Sequence, residues 1–171
     1  MPTRQFIVLT GASGSGKTTI ACHCAELMPI TVRHFDEIPI PSTEDMVRQF
    51  GSPEAWQHAK TLEWFERLAV LSDESVLFEG QSRIAFIQSA ISMYDIPNAR
   101  LILVDCDDNE RLRRLEHHRR QPDLATKDML DWAAYLRNEA RAARCEILDT
   151  TRASVDESAR RILHLGSERT P

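Results

Sequence analysis

No stretch of this sequence approaches the roughly 18 consecutive apolar residues that a membrane-crossing helix needs, and it contains neither an internal repeat nor a low-complexity tract. Helical membrane proteins and solenoids are thereby excluded. Charge of one sign is also scarce: the formal balance is −5, which gives no general attraction to nucleic acid or anionic lipid. Aromatic residues make up only 6% of the chain. The one basic concentration, Arg111 to Arg120, has none interleaved for stacking on bases, so a nucleic-acid partner is not expected.

Cysteine is sparse too. Cys22, Cys24, Cys106 and Cys145 include no C-x-x-C pair. A helix would point Cys22 and Cys24 about 200° apart, which disfavours a shared ion. The apolar run Phe6 to Leu9 is too short for a signal-peptide core and is followed by no small-residue cleavage site, so a cytoplasmic location with reduced thiols is expected. A length of 171 residues suits one domain spanning 1–171.

Five segments rich in apolar and β-branched residues read as strands: Phe6 to Leu9, Ile30 to Phe35, Val76 to Phe78, Leu101 to Val104, and Ile147 to Leu148. Longer stretches with helical spacing separate them. Near-continuous apolar strands alternating with helices predict a parallel sheet covered on both faces, a three-layer α/β fold. Within the longest connection, Ser52 is a candidate N-cap and Pro53 suits a first helical position, predicting a helix over Pro53 to Leu71. Trp56 and Trp64 on it read as packing residues. Residues Gly166 to Pro171 read as a frayed tail.

Directly after the first strand, Gly11-Ala12-Ser13-Gly14-Ser15-Gly16-Lys17-Thr18-Thr19 satisfies G-x-x-x-x-G-K-[ST] and runs into a helical segment. The pattern has a physical reason. Glycines permit the turns that aim successive N–H groups at one phosphate, at the positive end of the helix that follows. Lys17 adds a cation toward the outer phosphates of a nucleoside triphosphate, and Thr18 offers a hydroxyl to Mg²⁺. Three acids at strand ends compete for the metal and base roles: Asp36, Glu79 and Asp105. Asp105 closes an apolar strand in the manner of a Walker B acid, but a cap for a helix starting near Asn109 is the favoured reading for it.

From Phe6 to about Leu163 the chain resembles P-loop small-molecule kinases of the nucleoside monophosphate kinase and shikimate kinase group. Phe78-Glu79-Gly80-Gln81-Ser82-Arg83 resembles their apolar-D-G-x-P-R stretch, with Glu for Asp and Ser82 for Pro. The run Arg111 to Pro122 is similar to their arginine-bearing lid, including the R-x-x-R-P-L form of shikimate kinases. Cys145 to Thr151 with the helical Val155 to Leu165 resembles the last strand and adenine-side loop. Segments such as His34-Phe35-Asp36-Glu37 and Asp105-Cys106-Asp107-Asp108 also resemble an uncharacterised bacterial group of AAA-labelled ATPases or kinases.

The resemblance implies a five-stranded sheet in order 2-3-1-4-5, a lid over about 111–128 and an acceptor-binding segment over about 37–72. It implies ATP-dependent phosphorylation of a small-molecule hydroxyl or phosphate. In that scheme Asp36 orients the hydroxyl, Thr18 and Glu79 hold Mg²⁺, the latter through water, and Lys17, Arg114 and Arg119 stabilise the transferred group. Arg120 joins the nucleotide side, while Gly80, Gln81, Arg83 and Arg137 join the acceptor side, with Arg83 hinting at an anionic acceptor. A nucleotide kinase is the rival enzyme, and an ATP-binding switch or slow ATPase is the rival from another class. A polynucleotide kinase stays a remoter alternative. No N-K-x-D guanine signature is present, and oligomeric state is left open.

Overall fold

A computed structural model describes residues 4–71 and 74–168. Its centre is β1 (Phe6–Thr10), buried along its whole length. The other strands are β2 (Thr31–His34), β3 (Val76–Gly80), β4 (Ala99–Asp105) and β5 (Glu146–Asp149). All pairings are parallel, in the order β2-β3-β1-β4-β5, the order that the resemblance implied. Phe35, read as the end of the second strand, instead opens a 3₁₀ turn.

Helices cover both faces: α1 (Lys17–Leu27), α2 (Thr43–Phe50), α3 (Pro53–Ala69), α4 (Ile84–Met93), α5 (Asp108–Arg113), α6 (Lys127–Ala142) and α7 (Val155–Ser167). Successive residues of β1 point to opposite faces, so each face has its own core. Phe6 and Val8 pack with Phe78 and with Trp64, Phe65 and Leu68 of α3. Ile7 and Leu9 pack with Ile20 and Cys24 of α1 and with Ala159 and Ile162 of α7. Cys24 is buried there while Cys22 is exposed.

Local signals place the ends. The Ser52 hydroxyl accepts from the Ala55 N–H with Pro53 at the first position of α3, as the sequence anticipates. Asp107, not Asp105, caps α5, its carboxylate accepting from the Glu110 N–H. After Arg113 the helix widens into a π turn over Arg114–His118, closed by a bond from the Arg119 N–H to the Arg114 carbonyl. Gly166 and Ser167, read as part of a tail, belong to α7. Any side chain at Gly166 would run into Ile7. The rest of that tail, 169–171, lies outside the described residues. Among the described residues no helix is long and apolar enough to cross a membrane.

Candidate functional site

Between β1 and α1 the loop turns with positive φ at Gly14 (83°) and Gly16 (91°). This left-handed backbone is costly for residues with a Cβ. Curling the loop turns its N–H groups inward and leaves its carbonyls facing out, where buried acceptors need donors. Two arginines of the next strand–helix unit supply them. Arg111, fully buried, donates to the carbonyls of Ala12 at 3.3 Å and Ser13 at 2.8 Å. Arg114 donates to those of Gly14 and Ser15, both at 3.3 Å, and to Thr150. The Thr150 hydroxyl also donates to the Ser15 carbonyl at 2.8 Å, tying the loop to the turn after β5.

Asp105 holds Arg111 in place. Its Oδ1 accepts from Arg111 Nη2 at 2.6 Å and its Oδ2 from Arg137 Nε at 2.6 Å. The sequence suggested neither a back-of-loop role for Arg111 nor a paired Asp105. A strand-end acid six positions before an arginine is the only trace.

Lys17 begins α1 and is nearly buried, at 5% exposure. Burial lowers its pKa to about 8 from 10.5; Glu79 opposes the shift, and Arg119 and Arg111 add to it. Parallel register carries Glu79 to the top of the sheet beside Leu9. There its Oε1 accepts from the Thr18 hydroxyl at 3.1 Å and lies 2.6 Å from His34 Nδ1. Thr18 and Glu79 thus meet as anticipated. Gly80 follows because a side chain at that point would collide with Phe35.

Two cavities open on either side of this loop. One, of about 390 Å³, runs from Gly14–Thr19 past Arg114 to Thr150, Ala153 and the start of α7. The other, of about 260 Å³, is lined by Ser13, Lys17, Asp36, Trp56, Glu79, Gly80 and Gln81, with Ile40, Gln121 and Leu124 at its outer wall. Thr18 and Arg119 line both. Asp36 is exposed to the second cavity. Trp56 lines it while also packing edge-on against Phe35, so its reading as a packing residue covers half of its surroundings.

Other expected residues lie elsewhere. Arg83 caps the start of α4 and bonds to Gln57 Oε1 at 2.8 Å. Arg137 is paired to Asp105 and borders a third, shallower hollow over β4 and β5. Neither lines the Asp36 cavity. Arg120 is exposed, at positive φ, and lines neither loop cavity. Glu37 folds back on its own turn, accepting from the His34 N–H. Of the segment 37–72, Ile40 and Trp56 line the cavity and α2 does not. Gly11 and Ala12 form the buried back of the loop, not its mouth.

The arrangement suits a polyanion and a hard divalent cation. A buried ammonium and an arginine without a carboxylate partner among the described residues face cavities where an anion can lie. A threonine hydroxyl and a carboxylate are oxygen donors of the type Mg²⁺ takes when phosphates and water complete its shell.

No protein-family model matches the chain, and no curated protein matches it. Solved structures do. A gluconokinase from Sinorhizobium meliloti 1021 superposes with TM-score 0.69 at 21% identity, over 95% of this chain and 93% of its own. A sugar kinase from Janibacter sp. HTCC2649 gives 0.68 at 19%, over 95% and 94%. A shikimate kinase from Acinetobacter baumannii gives 0.60 at 19%, over 96% and 93%. The fold is that of the P-loop kinases.

Proposed function

We propose that this chain is an ATP-dependent phosphotransferase acting on a hydroxyl of a small molecule. The observation that carries the reading is the meeting of two cavities at Thr18 and Arg119, with Lys17 buried beneath them and Asp36 across the second. A nucleoside triphosphate in the first and an acceptor in the second approach each other over the loop. Residues 11–19 cradle the phosphates with their N–H groups. The loop at Thr150 and Ala153, with Arg114, frames the nucleoside.

In the reaction the acceptor oxygen bonds to the terminal phosphorus as the bond from that phosphorus to the bridging oxygen breaks, releasing ADP. The hydroxyl proton passes to Asp36 and then to water. A loose transition state asks for little proton removal beforehand, so orientation by an ordinary carboxylate suffices. Lys17 and Arg119 stabilise charge on the transferring group. Thr18 and Glu79 would hold Mg²⁺, Glu79 through water, and the ion supplies further charge neutralisation at the phosphates. The gluconokinase, sugar kinase and shikimate kinase likenesses support this reading at the level of fold. A cytoplasmic location, where ATP is supplied, goes with it.

The test is Mg²⁺-dependent ADP production across nucleosides, nucleotides, sugars, shikimate-like acids and aminoglycosides, with Lys17→Ala as the blank. One acceptor is expected to raise ADP release above the blank and to gain the mass of a phosphate. Lys17-dependent ATP binding with no such acceptor would instead leave a nucleotide-operated switch.

A further inference from the structure

The walls of the Asp36 cavity also restrict what enters it. Resting on the phosphotransferase reading, we infer that the acceptor is a small hydroxyl compound with no carboxylate, phosphate or sulfate of its own. Four charged side chains line this cavity: Lys17, Arg119, Asp36 and Glu79. The two cations lie at its loop end, where they answer the phosphoryl group. Beyond them the lining is Trp56, Ile40 and Leu124 with the amides of Gln81 and Gln121, and the charge that faces this part is the Asp36 carboxylate.

The arginine that would greet an anion is spent elsewhere. Arg83 Nη1 donates to Gln57 Oε1 at 2.8 Å, and its Nη2 lies 3.7 Å from Glu54. Its guanidinium also sits over the rings of Phe86, Trp132 and Tyr135 at 5.5, 5.2 and 5.6 Å. Turning it into the cavity would forfeit a hydrogen bond and its aromatic surroundings together. Gln57 is further fixed, its Nε2 donating to the Gln81 carbonyl at 3.0 Å. An acceptor bearing its own negative charge would therefore be desolvated against Asp36 with no unspent cation to meet it.

Gln81 suits hydroxyl recognition. Its Oε1 accepts from Trp132 Nε1 at 3.2 Å and its Nε2 donates to Ser13 at 2.9 Å, fixing the amide and leaving one N–H and one lone pair. Trp56 and Ile40 offer an apolar surface to the carbon face of a ring. A volume of about 260 Å³, part of it needed for the phosphoryl group, suits a monosaccharide-sized molecule and is small for a nucleotide.

The test is ligand-observed saturation-transfer NMR on the full chain with a non-hydrolysable ATP analogue and Mg²⁺. It uses pairs that share a skeleton and differ by an anionic group: glucitol with gluconate, glucose with glucose 6-phosphate, methyl shikimate with shikimate. The expected result is saturable binding of an uncharged member at about tenfold lower concentration than its anionic mate, a gap worth 1.4 kcal/mol. Ile40→Arg, which adds a cation at an exposed rim position (59% exposed), should narrow or reverse that preference. Equal or tighter binding of the anionic members by the parent chain overturns the inference, as does the absence of binding by every pair. Uncharged compounds that bind without ADP release above the Lys17→Ala blank retain the cavity preference and remove the phosphotransferase reading, so the two fail separately.

Discussion

Asp105 and Arg111 form an ion pair at 2.6 Å behind the phosphate loop, with the arginine fully buried. The pair does not face either loop cavity. Its effect is exerted through the loop backbone, since the same guanidinium holds the Ala12 and Ser13 carbonyls. Asp105 is thus a positioning residue at one remove from the phosphates.

The two halves of this pair should not be equally costly to lose. Asp105→Ala strands a buried guanidinium without a counter-ion, a loss of about 3–5 kcal/mol. Arg111→Met leaves Asp105 still paired to Arg137 and replaces the buried charge by an apolar stem, so it should cost less. Urea unfolding of the two variants measures the difference, and an equal or inverted ranking contradicts this account.

Lys17 should be a liability to the ligand-free protein. A pKa held near 8 against 10.5 corresponds to about 3 kcal/mol of disfavoured charge. Below about pH 8 both folded and unfolded chains keep the proton and the cost is full; above about 10.5 both have lost it and the cost is gone. Between these limits the unfolded chain binds more protons, so stability rises with pH. Lys17→Met is therefore expected to stabilise the ligand-free chain by about 1–3 kcal/mol near neutral pH and to abolish the rise in Tm that ATP produces. Thermal unfolding with and without ATP reads both effects.

Arg119 and Arg120 are adjacent and should behave differently. Arg119 lines both loop cavities and Arg120 neither. Arg119→Ala is expected to lower kcat by about 10²–10³ with a small change in ATP affinity, whereas Arg120→Ala should stay within about threefold of the parent. Steady-state kinetics with the acceptor identified by the panel decides between them.

The Thr18–Glu79 contact should set the Mg²⁺ requirement. Glu79→Gln keeps the shape of the side chain beside Thr18 and His34 but removes its charge. The Mg²⁺ concentration for half-maximal ADP release should rise about tenfold or more, with little change in unfolding midpoint. An unchanged Mg²⁺ titration would confine Glu79 to a structural part.

The sheet order, the phosphate loop and the Thr18–Glu79 approach were legible because strand, loop and helix run without a break from Phe6 to Leu27, and parallel register brings Glu79 to the same edge. The arginines were not legible. Within Arg111 to Arg120 the same residue type serves a buried brace at Arg111, a clamp at Arg114, a solvent-side pair with Glu110 at Arg113 and a cavity wall at Arg119. Helical phase sorts the first three, but the π turn breaks the phase before the fourth. Arg83 and Arg137 found partners 26 and 32 positions away in the chain, pairings that no local pattern records.

That wide turn also has a meaning for how the chain tolerates length changes. A π turn carries one residue more than the α-helical turn it replaces, so Arg114–His118 behaves as an insertion absorbed without unravelling the helix. Deleting a single residue from it would let the ordinary spiral close and rotate everything beyond by about 100°. Arg119 would leave the border of the two cavities while Arg111 and Arg114, upstream, kept their hold on the loop. The segment thus uncouples the bracing of the phosphate loop from the aim of its outer cation, and a change of one codon would be enough to separate nucleotide binding from transfer.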